Sequence, residues 1–146
     1  MFKFIKQIFI FFVAFGMIFL VGIFLPVTPA AKSNMLAYKP EKDILLKEEM
    51  DPRIIFIGGS NLVFGLNSQM IKDSLHMNPV NLGMAASIGM IYMIDDALLH
   101  IRKGDIVVLA SEYHSYFGNQ AYGGHDLFRL LMDVERSGFK KLRPKH

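Results

Sequence analysis

From Ile8 to Leu25 the chain carries no charged residue, and Phe9, Phe11, Phe12, Phe15, Phe19 and Phe24 are spread among Ile, Val and Leu. A helix built from this run is apolar on every side, so it must be enclosed by a large core or lie in lipid. At about 1.5 Å per residue, roughly 18 residues reach about 27 Å, close to the ~30 Å of bilayer hydrocarbon, and Phe2, Phe4 and Ile5 can extend it. The run is therefore expected to span a membrane, and residues 1–27 are read as the anchor. The competing reading is a cleaved signal peptide, with Lys3 and Lys6 as its basic start and Thr28-Pro29-Ala30-Ala31 supplying small residues. The apolar run exceeds the ~7–15 residues usual for such a segment, and Pro29 sits badly near a scissile bond. Lys3, Lys6 and the terminal amine favour a cytoplasmic N-terminus, although Lys32, Lys39 and Lys42 follow the run closely. The expectation is one pass, N-terminus inside and the remainder outside, with the lipid bilayer as the first partner.

Cysteine is absent, so disulfides and thiolate metal ligands are impossible. The formal charge is +3, and without Lys3 and Lys6 the balance is 14 basic against 13 acidic residues, or +1. That excess gives no electrostatic footprint for nucleic acid.

Past the anchor, residues 28–50 read as a linker followed by a lead-in helix over Glu41–Glu49. Arg53 to Ile57 is then a β-branched apolar run closed by Gly58-Gly59, the pattern of a strand buried on both faces of a parallel sheet. Asn67 or Ser68 can cap a short helix with Met70, Ile71 and Leu75 turned inward, and Pro79 to Leu82 gives a second strand. Ser87 to Arg102 spaces Ile88, Ile91, Ile94, Leu98 and Ile101 at helical intervals, and Ile106 to Ala110 is a third strand. A last helix over about His125–Arg136 carries Leu127, Leu130, Leu131 and Val134, before a basic tail over 140–146. Strands alternating with helices predict a three-layer α/β domain with a short parallel sheet, here over residues 51–139. Three strands are few for a sheet needing cover on both faces and both edges, so the domain is expected to be part of a larger one.

Ligands of open α/β sheets bind beyond the carboxyl ends of the strands. There the chain places Gly58, Gly59, Ser60 and Asn61, then Asn81 and Gly83, then Ser111, Glu112, Tyr113 and His114. A serine delivered on a glycine turn faces that crevice, and the Ser60 and Gly83 amides are candidate donors to an oxyanion. With sheet order 2-1-3, His114 falls on the same rim as a candidate base, with Glu112 placed to orient it. His76 and His100 sit near helix ends, where structural roles are expected. No acidic or histidine pair has metal-motif spacing, and no metal or cofactor is expected. Met84, Met90 and Met93 read as core filling. Phosphate binding by Gly58-Gly59-Ser60 is disfavoured because the Gly-x-Gly-x-x-Gly pattern is missing.

Four segments in order carry a resemblance: Arg53 to Asn61, Phe64 to Ser68, Val80 to Gly83, and Gly104 to Tyr113. Together, over about residues 50–120, they resemble the SGNH/GDSL hydrolase-like superfamily, in particular its membrane-anchored bacterial branch of DltD-like and sugar O-acyltransferase-like members. The resemblance implies a flavodoxin-like sheet, Ser60 as nucleophile, an oxyanion contact from the Gly83 amide, and an acyl substrate or glycan of the cell envelope. Two departures stand beside it. The family's third block supplies an asparagine where this chain has Ser111-Glu112-Tyr113-His114, with Asn119 out of register. Its final Asp-x-x-His block has no counterpart: His125-Asp126 is reversed and adjacent, and His146 is terminal. A serine without a positioned base is a weak nucleophile, so an inactive binding module or a truncated product is the alternative to an esterase or acyltransferase.

Alkaline carbonate extraction tests the anchor: the chain is expected to stay in the membrane pellet at its full-length mass. A soluble product starting near Ala31 is the signal-peptide outcome.

Overall fold

A computed structural model describes residues 2–25 and 34–144. The expected linker, including Thr28 to Lys32, and the terminal His146 lie outside the described residues. Helix α1 runs Phe2–Phe24, 23 residues, and none of its apolar span is buried against the rest of the chain. At ~1.5 Å per residue it is about 34 Å long, enough to cross a membrane.

The α/β part contains strands β1 (Arg53–Gly58), β2 (Asn78–Asn81) and β3 (Ile106–Ala110). They form one parallel sheet in the order β2-β1-β3. Ile55 faces Val80 on one side and Val107 on the other, which fixes the register. Alternation along β1 splits the core in two. Ile55 and Ile57, with Val80, pack against Leu46 of α2 (Lys39–Glu48), Met90, Met93 and Ala97 of α5 (Met90–Leu98), and Leu127, Leu130 and Leu131 of α6 (His125–Asp133). Ile54 and Phe56 turn the other way, onto Leu62 of α3 (Ser60–Gly65) and Ile71 of α4 (Ser68–Leu75). The central strand is thus buried throughout, as its unbroken apolar run requires.

Several elements depart from expectation. The helix expected over residues 87–102 is broken: a 3₁₀ turn over Ala86–Ile88 precedes α5. Gly89 stands between them at φ +90, where a Cβ would lie 2.3 Å from the Gly123 amide nitrogen, so the chain bends to let two backbones touch. Of the expected stripe, Ile88 is buried and Ile94 and Ile101 pack against the core, while Leu98 is exposed. Met90, Tyr92, Met93, Asp96 and Ala97 are buried as well, so the inward face is wider than the isoleucine spacing shows. In α4, Met70 and Leu75 point to solvent and only Ile71 packs, because the helix lies over the outer strand β2 with no further element beyond it among the described residues. Asn67 provides its cap, accepting from the Met70 amide at 3.0 Å. The last helix stops at Asp133, and a 3₁₀ helix over Arg136–Lys141 takes up the start of the expected basic tail. Strand β3 is not buried on both faces: Ile106, Val107 and Leu109 are exposed, since the covering helices stand over β1 and β2.

The starting ends of β1 and β3 are joined by a buried ion pair. Arg53, with no exposed surface, donates through Nε to Asp105 Oδ1 at 2.9 Å and through Nη2 to Oδ2. Its other donors reach the carbonyls of Leu46, at the end of α2, and His100, after α5. Removing one member of such a pair strands a buried charge. Arg53→Met is expected to cost about 3–5 kcal/mol, with Arg53→Met/Asp105→Leu recovering part of the loss, as read by denaturant unfolding in detergent.

Candidate functional site

The carboxyl ends of the three strands converge on the first turn of α3. Gly59 precedes it as the N-cap, which places Ser60 at the helix start, half-buried. Asn61 holds this turn to β3 by donating through Nδ2 to the Ala110 carbonyl at 3.1 Å. Asn81 holds it to β2 by donating to the Leu62 carbonyl at 2.9 Å, while its Oδ1 accepts from the Gly83 amide, also at 2.9 Å. Backbone bonds from Leu82 to Phe56 and from Met84 to Gly58 run this loop beside the end of β1.

Ser60 Oγ lies 3.4 Å from Glu112 Oε1. The contact depends on Gly59, because a Cβ there would sit 2.0 Å from Glu112 Oε2. Ser60, Gly59, Asn61, Asn81, Gly83 and Glu112 therefore share one rim. His114 stands apart from them. Its side chain is exposed, makes no hydrogen bond among the described residues, and lines a groove with Ala86, Ser87, Gln120, Gly123 and Gly124. The expected orienting contact from Glu112 to His114 is replaced by the contact from Glu112 to Ser60. The Gly83 amide, expected to face an oxyanion, is engaged by Asn81.

Beside Gly83 a groove of about 310 Å3 is lined by Met35, Tyr38, Lys42, Leu45, Val63 and Asn81. Lys42 reaches the Asn81 carbonyl at 2.9 Å, and burial holds its ammonium below the usual lysine range. The aromatic segment after Glu112 is open to solvent: Tyr113 and Phe117 are exposed, their ring centroids 4.9 Å apart.

A second polar cluster, which sequence reading missed, lies on the other face of the sheet. Lys39 and Asp43 of α2, Asp96 of α5, and Glu135 and Lys141 near the C-terminus meet there, with Lys39 2.6 Å from Asp96 and 3.4 Å from Glu135. The carboxylate oxygens of Asp43, Asp96 and Glu135 lie within 4.8 Å of one another, a spacing that suits a cation, and the two ammonium groups sit among them. The only local signal was the Lys39/Asp43 spacing of four on one helix. Asp96 lies between Met93 and Ala97 on the inward face, which the apolar periodicity hid.

Compared with known protein families, characterised proteins and solved structures, the chain has no significant match.

Burial opposes the charge on Asp96, yet Lys39 and Lys141 outweigh it and hold the carboxyl below its ordinary value. Burial likewise opposes the charge on Asp105, and its bonds from Arg53 and the Arg102 amide again bring the value down. Each contributes stability that is complete above the unfolded value of 3.8 and is lost as pH falls through the depressed folded value. Asp43 acts in the opposite sense, since burial raises it. Lys39 is raised despite its burial because of Asp96 and Asp43, so its contribution holds below 10.5 and is lost as pH rises through the raised value. Lys141, raised despite its burial by Asp96 and Glu135, and Tyr92, raised by its burial, act in the same alkaline sense. Thermal melts across pH are expected to fall at both ends, and Lys39→Met is expected to weaken the alkaline part of the dependence without removing it.

Proposed function

We propose that this chain is a membrane-anchored SGNH-like esterase or acyltransferase acting on acyl groups of the cell envelope, with Ser60 as nucleophile. The observation that carries the reading is the meeting of Ser60, the Gly83 loop and Glu112 at the carboxyl ends of three parallel strands. Acyl transfer needs a hydroxyl in a crevice with amides close by, and this is where an open α/β sheet presents one. The sheet order β2-β1-β3 and helices on both faces agree with a flavodoxin-like domain. Strand β3 is at the edge of the sheet, where such a domain would continue, and its exposed apolar side chains are faces that further elements would cover. In this reading α1 is the anchor, its N-terminus is cytoplasmic and the α/β part faces outward, near acyl groups at the membrane surface.

A second reading, an inactive SGNH-like module that binds an envelope glycan or a protein partner, draws support from one contact and from one that is missing among the described residues. The Gly83 amide already donates to Asn81, and no imidazole bonds to Ser60 among the described residues. Fluorophosphonate labelling of the membrane-embedded chain separates the two. The enzyme reading expects covalent label on Ser60 and none in Ser60→Ala. The binding reading expects no label on the wild type and unchanged cellular function in Ser60→Ala.

A further inference from the structure

We propose that Glu112 is the proton acceptor for the Ser60 hydroxyl, an assignment that rests on the acyl-transfer reading and gives a carboxylate the task that the resemblance leaves to a histidine. Glu112 is the side chain that bonds Ser60 Oγ among the described residues, at 3.4 Å. That is long for an O–H···O bond, and contacts of this kind shorten when substrate closes the site.

Three features make the carboxylate a built part of the site. Its position uses the space that a side chain at residue 59 would fill: a Cβ on Gly59 would meet Oε2 at 2.0 Å and Oε1 at 2.2 Å. Oε2 is closed off from solvent and has no hydrogen-bond partner among the described residues. No lysine, arginine or histidine pairs with Glu112 among those residues either, unlike Asp96, paired with Lys39 and Lys141, and Asp105, paired with Arg53. A carboxylate held structurally is usually committed to a cation or to amide donors. Glu112 instead keeps lone pairs for the Ser60 hydroxyl.

The chemistry balances with these groups and an acyl ester. The Ser60 proton passes to Glu112 Oε1 as Oγ bonds to the acyl carbon and the carbonyl electron pair moves onto its oxygen. Collapse breaks the bond to the leaving alkoxide, which takes the proton from Glu112 and leaves an acyl-serine ester. An acceptor hydroxyl or water then gives its proton to Glu112, attacks the acyl carbon and releases Ser60, which regains its proton.

The test is the second-order rate of fluorophosphonate labelling at Ser60 in the full chain in detergent, with melting temperature as the folding control. Glu112→Gln keeps the shape but removes the proton acceptor, and is expected to slow labelling by about 100-fold or more. Where that variant melts below the wild type, Gly59→Ala carries the same test, since its methyl group displaces the carboxylate from Ser60 while leaving its charge; the same slowing is expected. Labelling of a folded variant within about threefold of the wild-type rate overturns the assignment and leaves Ser60 as the nucleophile. A wild-type chain that takes no label at Ser60 instead removes the acyl-transfer reading itself.

Discussion

Arg53 and Asp105 are both withdrawn from water, and the fork between them sets where β1 and β3 begin. One guanidinium holds the starts of two strands, the last carbonyl region of α2 and the turn after α5. A planar group with five donors can do this, whereas a lysine at the same place could satisfy only part of the set. Asp105 in turn accepts from the Arg102 amide, so the tight turn into β3 is tied to the same centre. Once the starts of β1 and β3 are fixed, their parallel register delivers Gly58 opposite Ala110, and the residues just beyond them become neighbours.

The candidate site follows from that alignment. Ser60 and Glu112 are two and two residues past the paired ends Gly58 and Ala110, so their meeting is a consequence of register rather than of any local motif. Asparagines complete the arrangement: Asn61 and Asn81 clamp the first turn of α3 between the outer strands. The result is a rim made largely of backbone and amide groups, into which one hydroxyl and one carboxylate project. Rigid positioning of this kind is what a catalytic or binding constellation needs from its surroundings.

The opposite face of the sheet is organised differently. There the apolar core is closed at one edge by five charged groups from α2, α5 and the C-terminal segment. Burying so many charges is favourable only when each has partners, and the alternation of ammonium and carboxylate groups provides them. Tyr92 adds its hydroxyl to Glu135, and burial together with that carboxylate pushes its proton dissociation well above the ordinary range. The cluster joins α2 to α5 and to the segment after α6, which no pair of adjacent residues could specify.

Much of the architecture was written in local patterns. The uncharged run at the start dictates an apolar helix because no polar face exists to turn to water. The β-branched run of β1 reads as a doubly covered strand, and the alternation of strand and helix leaves parallel pairing as the outcome. Ser60, Gly83 and Glu112 were legible as candidates because they follow the strands, where open sheets bind ligands. Other features depend on contacts distant in sequence. The break at Gly89 arises from its approach to Gly123, the exposure of Met70 and Leu75 from the edge position of α4, and the inward place of Asp96 on α5 from its ion pairs with Lys39 and Lys141. Periodicity identifies a helix, but which way it is rolled depends on what it packs against. Likewise the chain's order suggested Glu112 as a companion of His114, two residues away, whereas the fold gave it to Ser60, because side chains meet through strand register and not through sequence proximity.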